Sequence, residues 1–162
     1  MGDTRWKTSV TVAAIVECDG RYLLVEEHTP AGLMLNNPAG HLDPGESPVE
    51  GVIREALEET ARRFLPEALV GVYLSRAQRA DPPSDVTFVR MAFCGTVSEP
   101  LPGRQLDPEI VRTLWLTRDE LRGCLPRHRS PLLMRCVDDH AAGRRYPLET
   151  IYSDPSVHLP LR

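Results

Sequence analysis

The sequence predicts a mixed α/β fold, with helices covering a mixed β-sheet, and three observations carry that prediction. Apolar, β-branched runs bounded by turn residues occur both before and after one long amphipathic stretch. That stretch carries its own start and stop signals. The 162 residues suffice for one sizeable core and are too few for two ordinary folding units, so a single domain over 1–162 is expected.

Taken in order, Thr8 to Val16 and Tyr22 to Val25 are apolar runs separated by Cys18-Asp19-Gly20-Arg21, a hairpin pattern with Asp-Gly at the turn. Thr29 to Gly45 holds three prolines and three glycines without helical period and reads as an ordered loop. A helix starts at Ser47, the cap, with Pro48 in the first helical position and Glu50 spaced to reach back to the cap. Val49, Val52, Ile53, Ala56, Leu57, Thr60 and Phe64 repeat at three-and-four spacing, and Pro66 ends the helix by about Leu65. Ala68 to Leu74 and Val86 to Val97 read as strands paired across Asp81-Pro82-Pro83-Ser84. Ser98 to Pro108 is a loop, followed by a strand at Val111 to Leu116 and a helix from Thr117, whose spacing to Glu120 repeats the capping box. A last helix over about 131–142 closes at Gly143, and Arg144 to Glu149 reads as extended.

Composition narrows the classes of function. Hydrophobic residues at 41% and charged residues at 26% form the ordinary globular mix, which argues against a disordered or membrane-embedded chain. A formal charge of −4 argues against general nucleic-acid binding. The apolar run Thr11 to Val16 ends at Glu17, far short of the roughly 18 residues of a membrane span. Cys18, Cys94, Cys124 and Cys136 form neither a CxxC pair nor a disulfide framework, so a reducing cytoplasm is the expected compartment.

At about 100° per residue, Glu55, Glu58 and Glu59 fall in one sector of the long helix, while Val52, Ile53, Ala56, Leu57 and Thr60 define the core face. Like charges at these spacings repel by a few tenths of a kcal/mol each. They read either as a solvated face or as ligands. The preceding loop favours ligands, because Pro38-Ala39-Gly40-His41 and Pro44-Gly45-Glu46 bring backbone carbonyls and a fourth carboxylate to the same helix. Hard oxygen donors of this kind suit Mg²⁺ or Mn²⁺ and not zinc.

Gly40, five residues, Glu46, seven residues and then Arg54-Glu55-Ala56-Leu57-Glu58-Glu59 closely resembles the signature of the Nudix hydrolases, G-x5-E-x7-R-E-U-x-E-E-x-G-U, over residues 40–62. The resemblance implies that family's α/β/α sandwich with a catalytic loop and helix. Thr8 to Val16, Asn37 to Leu42, Ser130-Pro131-Leu132 and Arg145-Tyr146-Pro147-Leu148-Glu149 are similar to the NudJ-type branch, phosphatases of nucleoside di- and triphosphates and of hydroxymethylpyrimidine diphosphate. The signature's glycine and final apolar residue are here Ala61 and Arg62. Ala61 is expected to favour the helix. The wheel puts Arg62 beside the three glutamates, where it pairs with one, reaches a substrate phosphate, or simply suits the helix C-terminus.

The resemblance further implies that Glu55, Glu58 and Glu59, with the Gly40 carbonyl, bind one or more divalent ions, Mg²⁺ or Mn²⁺. Arg54 would serve catalysis by orienting these carboxylates, with Glu46 doing similar work from the loop. Glu55 and Glu109 are the two candidates for taking the proton of the attacking water. His41, Arg62, Arg76 and Arg90 are candidates for substrate phosphates, each also readable as a structural or solvated residue. Trp6, Tyr73, Phe88 and Trp115 are candidates for stacking on a base, or core. The expected partner is a small nucleotide or organic diphosphate, with no nucleic acid and no membrane, and the expected reaction is metal-dependent release of orthophosphate. Two alternatives stay open: a pyrophosphatase of another branch, acting on ADP-ribose or damaged nucleoside triphosphates, and a catalytically weak Nudix domain that senses a nucleotide.

Overall fold

A computed structural model describes residues 6–81 and 83–160, so Pro82 of the expected turn lies outside the described residues. The strands are β1 (Ser9–Ile15), β2 (Glu17–Cys18), β3 (Arg21–Thr29), β4 (Gly32–Asn36), β5 (Ala39–His41), β6 (Phe64–Ala80), β7 (Pro83–Val97) and β8 (Ile110–Thr117); the helices are α1 (Pro48–Thr60), α2 (Arg118–Arg122) and α3 (Leu132–Ala141). A mixed sheet runs in the order β5-β1-β7-β6, with β1 parallel to β7 and the other pairs antiparallel. A second, antiparallel sheet is built on β3, which pairs with β2, β4 and β8. The fold is the expected mixed α/β architecture.

β1 shows why its run is apolar without alternation. Successive side chains point to opposite faces, and both faces are covered. Val12, Ala14 and Val16 pack with Val52 and Ala56 of α1, while Ala13 and Ile15 pack with Leu133 and Val137 of α3. Buried-both-sides strands lose the polar half of the pattern.

Four local expectations are corrected. The Asp19-Gly20 turn, both residues at positive φ, joins only β2 to β3, because β1 passes into the mixed sheet. The supposed loop from Thr29 to Gly45 contains β4 and β5, strands too short and too rich in glycine and proline at their ends to stand out. The long helix stops at Thr60, where Ala61 adopts the left-handed conformation (φ 55°, ψ 23°) and donates its amide to the Leu57 carbonyl. Phe64 therefore opens β6 instead of extending the helix, and Pro66 sits in that edge strand beside a bulge. On α1 itself, Ile53 is exposed and Leu57 half-buried, whereas Glu55 and Glu59 are buried. The start of α1 follows the expected capping box between Ser47 and Glu50, and α2 repeats it with Thr117 and Glu120.

β6 and β7 form a long hairpin that outruns the sheet. β1 pairs with β7 only between Phe88 and Cys94. Beyond that point, Arg76 to Asp85 project as a two-stranded arm, with Arg76 donating to Asp85 across it.

Candidate active site

The loop carrying β5 and the first turns of α1 fold onto one another through Arg54. Its Nε and Nη2 donate to the two oxygens of Glu46 at 2.9 and 2.7 Å, and Nη2 also reaches the His41 carbonyl at 2.9 Å. Nη1 donates to Glu55 Oε1 at 2.8 Å and Glu58 Oε2 at 3.0 Å. Such a bidentate, shared guanidinium fixes the orientation of three carboxylates at once. The loop's approach is close: a Cβ on Gly40 would lie 2.2 Å from the Glu55 carboxyl carbon. Glu59 accepts from the Ala39 amide at 2.9 Å.

These groups border a cleft of about 740 Å³ between α1, β5, the β6-β7 arm and the segments before β8 and α3. Gly40, His41, Glu55, Glu59, Arg76, Arg90 and Glu109 all line it, so seven of the residues singled out above come together. Glu58, Glu46 and Arg54 stand behind the lining, joined to it through the Arg54 bonds. Phe88 is the one aromatic candidate on the wall, with its ring 6.3 Å from that of His41. Tyr73 instead bonds Asp139 in another groove.

Arg62 is placed elsewhere. Because the helix ends at Thr60 and the chain reverses its twist at Ala61, the wheel does not extend to it. Its guanidinium donates to the Ser98 carbonyl at 2.9 Å and lies 5.7 Å from the Trp115 ring centre, pinning a loop to β8. Arg90 is buried, and its two Nη atoms reach the Asn37 and Asn36 amide oxygens at 3.3 Å, so it forms the floor of the cleft more than a free phosphate arm.

Burial pushes the Glu55 carboxyl up despite Arg54, and pushes Glu59 up to about 8, with the charges of Glu55, Glu27 and Asp107 adding to the effect. Glu46 is held below the usual carboxylate range by Arg54. Among the described residues, no three His, Cys, Asp or Glu side chains already converge as a ligand set. The donor chemistry nonetheless fits a divalent cation: the hard carboxylate oxygens of Glu55 and Glu59 are buried on the cleft wall beside Gly40, and Arg54 meets Glu55 from behind.

Several lining residues escaped the sequence reading: Asp107, Glu27, Asn36 and Arg129. Asp107 donates its amide to the Glu58 carbonyl at 3.0 Å, which brings the later loop against the helix. Its only sequence signal is its place two residues before Glu109. Asn36 and Arg129 flank segments already noted, Asn37 to Leu42 and Ser130-Pro131-Leu132, while Glu27 lies in an ordinary strand.

The NUDIX domain family matches residues 6–136 of the chain. Over 146 residues the chain is 32% identical to the protein named Phosphatase NudJ from Escherichia coli (strain K12), covering 90% of this chain and 92% of that protein. The protein of the same name from Shigella flexneri is also 32% identical over 146 residues. A solved structure of a Nudix hydrolase from Nitrosomonas europaea is 46% identical, with a TM-score of 0.83 over 91% of this chain and 98% of its own. The Nudix domain of Shewanella oneidensis NrtR complexed with ADP ribose, 16% identical with a TM-score of 0.65 over 88% of this chain and 92% of its own, shares the fold alone.

Proposed function

The chain belongs to the Nudix family and is a hydrolase of phosphoric anhydride bonds, and we propose that it is a Mg²⁺- or Mn²⁺-dependent phosphatase of nucleoside di- and triphosphates and of hydroxymethylpyrimidine diphosphate, releasing orthophosphate in the cytoplasm. The observation that carries this reading is the pair of buried carboxylates, Glu55 and Glu59, set in a cleft wall against Gly40 and steered from behind by Arg54. The proposal treats residues 1–162 as one catalytic domain.

Glu55, Glu58 and Glu59, with the Gly40 carbonyl, hold the cation. When bound, a divalent ion neutralises the diphosphate oxygens and acidifies water at the site. Arg54 is a positioning residue: its donors are spent on Glu46, Glu55, Glu58 and the His41 carbonyl, leaving it to fix carboxylate geometry. Glu55 and Glu109, both on the cleft wall, are the proposed acceptors of the water proton. His41 and Arg76 face the same space and contribute to holding the phosphates.

The test is a phosphorus NMR time course with Mg²⁺ and a mixture of ATP, ADP, ADP-ribose and hydroxymethylpyrimidine diphosphate, with an EDTA control. Stepwise orthophosphate release abolished by EDTA is expected. Glu59→Gln should fold and lose at least ~10²-fold in turnover; full activity in that variant would contradict the metal assignment. Pyrophosphate with a monophosphate from ATP, or AMP with ribose phosphate from ADP-ribose, would move the protein to another branch. Absence of turnover would favour a nucleotide-sensing domain.

A further inference from the structure

Two consecutive glutamates on β3 are both buried, Glu26 at 4% and Glu27 at 5% exposure, beside a bulge that falls between them. Neighbours on a strand point to opposite faces, and these two meet different fates. Glu26 is saturated: Arg112 Nε donates to Oε2 at 2.8 Å and Arg127 to Oε1. Glu27 lines the cleft and accepts from Arg129 through Oε2, but its Oε1 is buried with no hydrogen-bond partner among the described residues. An orphaned carboxylate oxygen is costly and asks for a reason.

The surroundings narrow what completes it. Arg129 lines the same cleft, its backbone is tied to the Leu35 carbonyl at 2.9 Å, and half of its side chain is exposed, so it keeps donors for a ligand. Arg90 and Asn36 form the polar floor alongside. A guanidinium already on Glu27 disfavours a second cation there, whereas a neutral N–H fits the free oxygen. We propose that Glu27 and Arg129 form the recognition pair for the organic half of the substrate: Glu27 Oε1 accepts an N–H of a nitrogen heterocycle, and Arg129 donates to the acceptor beside it. This rests on the hydrolase reading above and adds to it the groups that select the leaving half. Glu26, one residue away, offers the contrast, a clamp between β8 and the segment before α3 that does not line the cleft.

The experiment compares wild type with Glu27→Gln on CTP and on inorganic tripolyphosphate, which offers the same anhydride without a base. The glutamine keeps the shape and can give its amide oxygen to Arg129, but it turns an NH₂ towards the ligand. The loss of the Glu27 charge near Glu59 acts on both ligands alike, so we expect kcat/KM for CTP to fall about tenfold or more beyond any change in kcat/KM for tripolyphosphate, with the thermal midpoint unchanged. If tripolyphosphate turns over too slowly to measure, its inhibition constant against CTP supplies the same comparison and should shift far less than KM for CTP. Equal losses on both ligands would assign Glu27 to catalysis or to structure and overturn the proposal, as would no change on either. Wild type inert towards both would instead bring down the hydrolase reading, and the recognition pair with it.

Discussion

Gly40 shows how one absent methyl group shapes the candidate site. The Glu55 carboxyl occupies the space where a Cβ would stand, 2.2 Å from its carbon, and Glu55 is itself buried and bonded to Arg54. Gly40→Ala should therefore displace the carboxylate and leave the core intact. Turnover is expected to fall by at least ~10²-fold, since a misplacement of about 1 Å can cost that much, with the melting midpoint within a few degrees of wild type. Wild-type kcat would show that Glu55 is free to move without consequence. Gly40 and the three glutamates were legible because their spacing is local, fixed by one loop and one helix. Glu27, Arg129 and Asn36 were not, because strand pairing and the approach to α3 alone bring residues 27, 36, 90 and 129 to one wall.

At the scale of an element, α1 was legible at its start and misjudged at its end. Capping chemistry is written in four residues, whereas a left-handed terminus leaves no mark when glycine is absent. Ala61 occupies φ 55°, a conformation that costs an L-residue about 1–2 kcal/mol. The family's glycine at this place thus reads as a helix cap, and the expectation that alanine helps the helix is reversed. Ala61→Gly should stabilise the protein by about 0.5–1 kcal/mol after the entropy of the unfolded chain is counted. For a chain of this length the thermal midpoint should rise by about 1–4 °C; an unchanged or lower midpoint would refute the strain. β4 and β5 were invisible for a related reason. Their edges are set by neighbouring strands, and no periodicity survives in three to five residues.

For the whole molecule, the sandwich was legible as a class, but the division into two sheets was not. Apolar runs say that a strand is buried, not which sheet receives it, as β1 and β3 demonstrate. The tail is fastened across these layers by His140 of α3, whose Nδ1 meets the Tyr22 hydroxyl of β3 at 2.8 Å and whose Nε2 meets Arg145 at 2.7 Å. Burial, with Arg145 adding, pushes this imidazole down to about 4. Between an ordinary value near 6.5 and that value, the unfolded chain binds a proton that the folded protein refuses, so stability should fall with pH through the window and be unaffected above it. After allowance for partial solvent contact the loss is on the order of 2 kcal/mol. Thermal melts from pH 7.5 to pH 4 should be flatter on the acid side for His140→Gln than for wild type, and parallel curves would remove His140 from the account.

The β6-β7 arm carries a consequence for which molecules the cleft admits. From Arg76 to Asp85 it is a ribbon of two strands whose described residues are exposed, and such ribbons twist and bend more readily than a full sheet. The opposite side, with Glu55 and Glu59 on a helix packed to the core, does not yield. The cavity thus has one stiff jaw and one compliant jaw: a guest of greater girth would be met by bending of the arm, with the wall that carries Glu55 and Glu59 left in place.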